Sequence, residues 1–458
     1  MTRLVRLILL WHLINQVKLL RWGRTLGLPM TLWLKTLPGR VRQWSATGYA
    51  GQYYFRLVRL SGILARCYKW RRLKLVPWQV QSIEGLMLLY LILMPVWQCP
   101  PLLPFSLLCL LYWHRVPGAS DHRGWELPGW GVCLALGTLL AGGGRQSWGM
   151  LGAYEFGLLF AWLLGRGLTL DFCRRLLDAL LLSSVLWMAV GWGQQWSGIP
   201  TPPGWLEPGQ TARIAVRSYA VFGNPNIYAL YLVSIIGLAL GWSQAAPRRG
   251  QRLGSRLTLI LALFSLYFTY SRIGWLMAVT LCFWQLTQVR ECRRLWLFFG
   301  VVAAFPLLWG GYQARIFSIL TGQDSSVVYR WRIWGGVGRL LRENWLWGVG
   351  PGNFTAVYPW VQSGSAFSWH AHSFYLQLWL ELGMMPLLLG LVWGGRLLIR
   401  ELRLTGKSAR HAVALGILGL VGGGLTESWQ VSRFCREYGS LLVGMLLALQ
   451  HKEQWFND

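Results

Sequence analysis

The chain has 458 residues, of which 54% are hydrophobic and only 13% charged. A soluble protein of this length normally carries nearer ~25% charge, so a water-soluble globular fold is excluded and a membrane bundle is implied. The 31 tryptophans fit that reading, because indole rings favour the headgroup level.

The formal net charge of +28 is concentrated at the start, where residues 1–75 hold 15 Lys/Arg and no acid, the first carboxylate being Glu84. Trp11, Trp22 and Trp33 interleave with those cations, while Pro29 and Pro38 interrupt any single long helix. Residues 1–78 are therefore expected to be a cytoplasmic segment lying on anionic lipid rather than a nucleic-acid-binding arm. Charges within the early apolar run, and no small-residue cleavage site after it, argue against a cleaved signal peptide. The eight cysteines are scattered without a CxxC pair, which supports neither a zinc ribbon nor a redox motif.

Apolar windows and their breakers predict helices near 82–98, 101–115, 127–143, 147–165, 175–195, 219–243, 256–270, 273–290, 295–311, 373–399, 411–426 and 437–451. The expectation is thus an all-α, polytopic transmembrane bundle of about 12 helices over residues 79–451, with a cytoplasmic tail at 452–458. Its loops obey the positive-inside rule: Arg166, Arg174 and Arg175, then Arg248, Arg249, Arg252 and Arg256, then Arg290, Arg293 and Arg294, then Arg400, Arg403, Lys407 and Arg410 all fall on one side. Arg145, Arg433 and Arg436 fall on the other. Both termini are then cytoplasmic in the inner (plasma) membrane. The external loop between helices 9 and 10, residues 312–372, is long, rich in aromatic residues and glycine, and contains a helix-like piece at 326–346. That composition suggests an ordered domain lying on the membrane.

Three external arginines sit in distinctive phrases: Arg217 before Phe222-Gly223-Asn224-Pro225-Asn226, Arg272 closing Thr269-Tyr270-Ser271-Arg272, and Arg330 in Tyr329-Arg330-Trp331-Arg332-Ile333-Trp334. Each alone could simply reach headgroup phosphates. Arg272, in a two-residue turn between spanning helices, has little freedom to do so, and membrane-edge charges are often functional. Guanidinium forks match phosphate oxygens, so three converging arginines would make a diphosphate site.

The large loop ends in Trp369-His370-Ala371-His372-Ser373-Phe374, holding two of the seven histidines. A histidine entering a helix can act as a general base near neutral pH; the ordinary alternative is an interfacial histidine satisfied by backbone groups. Spacing does not choose between His370 and His372, and His372 is favoured because it adjoins the helix. The external acids Glu207, Asp324, Glu343, Glu427 and Glu437 form no paired motif, so no metal or other cofactor is expected. The phrase Gly348-Val349-Gly350-Pro351-Gly352-Asn353-Phe354 lacks the preceding strand of a nucleotide loop and reads as a tight turn.

Taken together, these phrases resemble the O-antigen ligase and polymerase superfamily of bacterial membrane proteins, over residues from about 215 to 385. The resemblance implies a membrane glycosyltransferase, metal-independent and inverting, that moves a glycan from a polyprenyl-diphosphate donor to an acceptor hydroxyl on a glycan or lipid. It implies that Arg272 and Arg330 hold the diphosphate with Arg217 as a further candidate, that His370 lines the site, and that His372 takes the acceptor's proton. The family often has Asn after the catalytic histidine, whereas Ser373 stands here. The sequence is similar also to a cyanobacterial subgroup of putative bicarbonate transporters. That alternative treats the arginines as an anion pocket with Glu155, Asp178 or Glu381 as partners at mid-depth. A non-catalytic glycolipid-binding role is the third reading.

Overall fold

The computed structural model describes residues 77–96, 126–202, 216–288, 325–364, 367–403 and 408–453. The expected N-terminal segment, the predicted helices at 101–115 and 295–311 and the last residues of the tail lie largely or wholly outside them. The described chain is helical, and no strand occurs among the described residues. In chain order the α-helices are α1 (Pro77–Leu93), α2 (Glu126–Leu140), α3 (Arg145–Gly167), α4 (Leu170–Trp196), α5 (Pro225–Ala245), α6 (Arg249–Tyr267), α7 (Arg272–Gln288), α8 (Ser325–Asn344), the single turn α9 (Phe354–Val357), α10 (Phe374–Leu382), α11 (Met384–Leu402), α12 (Ala409–Gly423) and α13 (Arg433–Glu453).

Helix α5 is the axis of the bundle, starting where Asn224 accepts from the Asn226 and Ile227 amides and Pro225 takes the first helical position. Small residues let α12 come against it. A Cβ on Gly237 would lie 2.4 Å from the Leu415 carbonyl oxygen, and one on Gly241 only 2.3 Å from Ala412 Cα. Backbone-to-backbone packing of this kind is how helices associate in lipid, where burial of apolar surface gives no preference for protein over acyl chain. The same core includes side chains from α1, α4, α6, α7 and α13.

The outward faces are apolar as well. Leu182, Leu186 and Val190 on α4, Leu253, Leu257, Ile260 and Phe264 on α6, and Leu276, Val279 and Phe283 on α7 are exposed at helical spacing. In water such stripes would be polar; around a bundle they meet lipid. Helices α3, α4 and α5 are long and apolar enough to cross a bilayer. The chain is a membrane protein.

The two ends of the bundle differ in chemistry. The α3–α4 turn with Arg166, the α5–α6 turn with Arg248 and Arg249, and the α11–α12 connection with Arg400 and Arg410 lie at one end, where Asp178 of α4 accepts from Trp242 Nε1 of α5 and Gln251 Nε2 of α6. The phrases holding Arg217, Arg272 and the histidines gather at the other end, as the alternation of basic loops requires.

One predicted helix is two. The window 373–399 breaks at Gly383, whose φ of +84° ends α10, and a Cβ there would lie 2.2 Å from the Leu346 carbonyl oxygen. Helix α10 crosses the end of the bundle, from the Gly424 carbonyl, which accepts from Phe374 N–H, toward Gly137 of α2. It packs with α8, α9 and the turn at Tyr358–Val361 around a second small core of Ile333, Val337, Leu341, Phe354, Tyr358, Ala371 and Leu380. The described part of the large loop thus packs as one unit with α10. Hydropathy saw one long apolar run because α10 buries apolar side chains in that core, whereas α11 turns many of its own outward.

Candidate functional site

Two pinned turns form one wall. Residues 216–224 are held between α4 and the end of α6: Ser218 N–H donates to the Phe268 carbonyl, Ser218 Oγ to Gly191, and the Gln194 amide both donates to and accepts from Ala220. The Arg217 guanidinium is buried there, with Nε donating to the Thr269 carbonyl at 3.0 Å and Nη2 to Asn226 Oδ1 at 2.9 Å. Asn226 Nδ2 in turn donates to Glu427 Oε2 at 3.0 Å. The second turn enters α7, where Ser271 Oγ accepts from Gly274 N–H and Arg272 occupies the first helical position.

The opposite wall is the histidine turn. Its backbone is gripped from three sides: Trp334 Nε1 of α8 donates to the Ala371 carbonyl, Ala371 N–H donates to Gln377 Oε1, and Ser373 N–H donates to Ser428 Oγ. Ser373 also caps α10 by accepting from Leu376 N–H. Phe374 stacks on Trp429 with ring centroids 4.5 Å apart, tying this turn to the segment that carries Glu427. Tyr329 OH donates to the Phe367 carbonyl, and its ring lies edge-on to His372 at 5.9 Å.

Among the described residues only Ala220, Tyr270 and His372 are non-glycine with positive φ. All three lie in these turns. A left-handed residue of this kind costs about 1–3 kcal/mol, which the surrounding hydrogen bonds must offset. The +48° φ of His372 brings its ring to 4.1 Å from that of His370, centroid to centroid.

Between the walls stands Glu427, buried at 2% exposure. Its Oε1 lies 3.9 Å from His372 Nδ1 and 4.0 Å from His370 Nε2. His370 Nδ1 accepts from His372 N–H at 3.3 Å. Burial pushes the pKa of His370 below the ordinary imidazole value; Glu427 opposes that shift and Arg330 adds to it. His372 is pushed well below by burial first, then by His370 and Arg330. Both imidazoles are therefore neutral at pH 7, and His372 holds a lone pair available to a proton. Arg330 donates Nη1 to Ser326 Oγ at 2.8 Å, while its Nε is buried with no protein partner.

The family model described as O-antigen ligase matches residues 257–392. That segment is similar to the O-antigen ligase family. No curated protein matches the chain.

The matched segment contains Arg272, Arg330, His370 and His372, while Arg217, Asn226 and Glu427 join it only through the fold. The structure brings Arg330, His370 and His372 together. Arg217 reaches them through Asn226 and Glu427, with two of its nitrogens engaged by protein acceptors, and Arg272 sits three residues beyond the Thr269 carbonyl that Arg217 holds. The glycine turn at 348–352 faces α10 rather than the histidines: Val349 N–H and Gly350 N–H donate to the Leu380 and Glu381 carbonyls. Glu381 is not at mid-depth. It lies near the end of α10, where its carboxylate accepts from Gln377 Nε2 and from the Gly352 and Phe354 amides.

Glu427 escaped notice as a functional residue because it lies 55 positions beyond His372, with no motif around it. The available signal was a lone carboxylate just past the end of an apolar helix, a placement too costly to be idle.

Proposed function

We propose that the protein is a membrane glycosyltransferase that moves a glycan from a polyprenyl diphosphate to an acceptor hydroxyl, with inversion and without a metal. The observation that carries it is the meeting of a neutral, strained His372 with the buried Glu427 carboxylate and with Arg330, His372 and Arg330 both lying in the segment similar to O-antigen ligase.

The chemistry follows from the atoms. With His372 Nδ1 turned toward Glu427, Nε2 is the nitrogen left to take the acceptor's proton. The acceptor oxygen then forms its bond to the anomeric carbon as the bond from that carbon to the phosphate oxygen breaks. The electron pair leaves with the diphosphate. Negative charge grows on that leaving group in the transition state, where Arg330 and Arg272 stabilise it as fixed cations, Arg272 aided by the N-terminal end of α7. Glu427 stabilises the imidazolium formed at the same moment. Arg217 acts mainly by holding the Thr269 turn and, through Asn226, the Glu427 carboxylate. His370 lines the site beside His372, which burial first of all keeps neutral.

An apolar cavity of about 310 Å³ bounded by Phe374, Tyr375 and Trp429 on one side and Trp130 and Leu387 on another supports a lipid-linked substrate. Of the three acids the anion-transport alternative calls on, Asp178 is bound by Trp242 and Gln251 and Glu381 by Gln377 and the 352–354 backbone, which leaves Glu155, whose Oε1 is buried with no protein partner, as its remaining candidate. The orientation that fits is the site on the outer face of the inner membrane, with the basic loops and both termini in the cytoplasm.

The test is His372→Ala and Arg272→Ala, each assayed for glycan transfer from a polyprenyl-diphosphate donor and for bicarbonate uptake. Both variants are expected to lose transfer while keeping the wild-type unfolding temperature. Unchanged transfer with lost uptake would replace this reading by the transporter; no change in either would favour a glycolipid-binding role.

A further inference from the structure

Two imidazoles and one carboxylate face a common point in this site. His370, His372 and Glu427 each offer one ligand atom, and the three atoms lie within 4.8 Å of one another. Three points so spaced have a common position roughly 2.8 Å or less from each, so side-chain rotations of under an ångström reach the 2.0–2.2 Å of zinc bonds to nitrogen and oxygen. Glu427 is held in place by Asn226 through its other oxygen, which leaves Oε1 for the new bond. His372 Nδ1 is buried and hydrogen-bonded to nothing. His370 Nδ1 takes only a long 3.3 Å hydrogen bond, so shifting its proton from Nε2 to Nδ1 sacrifices little.

We propose that His370, His372 and Glu427 form a binding site for a divalent transition-metal ion, and that the ion inhibits the protein. Two nitrogen ligands and a single carboxylate suit zinc, cobalt or nickel; magnesium and calcium want oxygen ligands in greater number. Three protein ligands leave a fourth position for water. Arg330 opposes the ion electrostatically and the Glu427 charge favours it, which makes the site one for a regulating or poisoning metal rather than a permanent structural one.

Inhibition rests on the base role proposed above. A neutral imidazole has one lone pair and one N–H. A metal on His372 Nδ1 takes that lone pair and confines the proton to Nε2, the atom that has to accept one. No covalent step is involved, and removing the ion restores the original tautomer.

The experiment uses the full chain in detergent or nanodiscs. Zinc is titrated by calorimetry and cobalt by its visible absorption, against the wild type, His370→Ala and Glu427→Gln, with unfolding temperatures recorded with and without zinc. The expected result is one equivalent bound in the wild type and affinity weakened at least about tenfold in both variants. Zinc should raise the unfolding temperature of the wild type alone. Equal affinity in all three proteins would place the ion elsewhere, since seven histidines are present, and would overturn the site. A second arm measures glycan transfer with zinc and then with a chelator. Reversible loss supports the inhibitory role; tight, variant-sensitive binding with transfer unchanged would leave the metal site standing and overturn His372 as the base.

Discussion

Replacing Glu427 by glutamine removes one negative charge while keeping the side chain's size and an acceptor for Asn226 Nδ2. In the ground state little changes, because both histidines are neutral. In the transition state His372 becomes an imidazolium whose Nδ1 is 3.9 Å from the carboxylate. A charge pair at that separation is worth about 4 kcal/mol at an effective dielectric of ~20 and about 1 kcal/mol in bulk water. Glu427 is buried, so the upper part of that range applies and kcat should fall on the order of 10²- to 10³-fold. The donor KM should move little, since the carboxylate touches neither phosphate nor sugar in the proposed arrangement. The assay is single-turnover transfer from a polyprenyl-diphosphate donor, alongside unfolding temperature as a control for folding, with Glu427→Asp as a partial rescue. A stable Glu427→Gln protein with kcat within about threefold of wild type would refute the claim that this carboxylate stabilises the protonated base.

Other outcomes follow from the same geometry. Because burial and neighbouring charge hold His372 below the ordinary imidazole range, the acid limb of kcat/KM against pH should fall below the unperturbed value of ~6.5, the base staying neutral as pH drops through that value. Arg330→Met removes a cation that depresses this pKa, so the limb should move to higher pH as activity falls; a limb that stays put would sever Arg330 from the histidines. Gly383→Ala forces a Cβ to 2.2 Å from the Leu346 carbonyl at a positive φ and should destabilise by about 2–3 kcal/mol, measured as a lowered unfolding temperature in detergent, with an unchanged temperature counting against the break between α10 and α11. Gly237→Val should separate α5 from α12 and reduce the yield of folded, monodisperse protein, whereas the same change at Gly193, which has open space around its Cβ position, should be tolerated.

What could be read along the chain was whatever depends on neighbours in sequence. Helices α2, α3, α4 and α7 fall close to their predicted windows because an apolar run between breakers declares a helix whatever surrounds it. The Asn224-Pro225 start of α5 and the Ser373 cap of α10 are local hydrogen-bond chemistry that apolar windows do not register, and the window for α5 opened six residues too soon. The break at Gly383 was not, because glycine within an apolar run is ordinary in membrane helices and only the Leu346 carbonyl pressed against it forces the chain to turn.

The site divides in the same way. Sequence alone determined that cations and histidines gather at the end opposite the basic loops, since charge bias and hydrophobic length are sums over local composition. That a carboxylate from beyond α12 comes within about 4 Å of two imidazoles, that Arg217 is spent on Thr269 and Asn226, and that His372 is bent into a left-handed turn were decided only by tertiary packing. Burial and distance between remote residues set the proton affinities and charge pairing there, and neither quantity exists until the helices have closed around them.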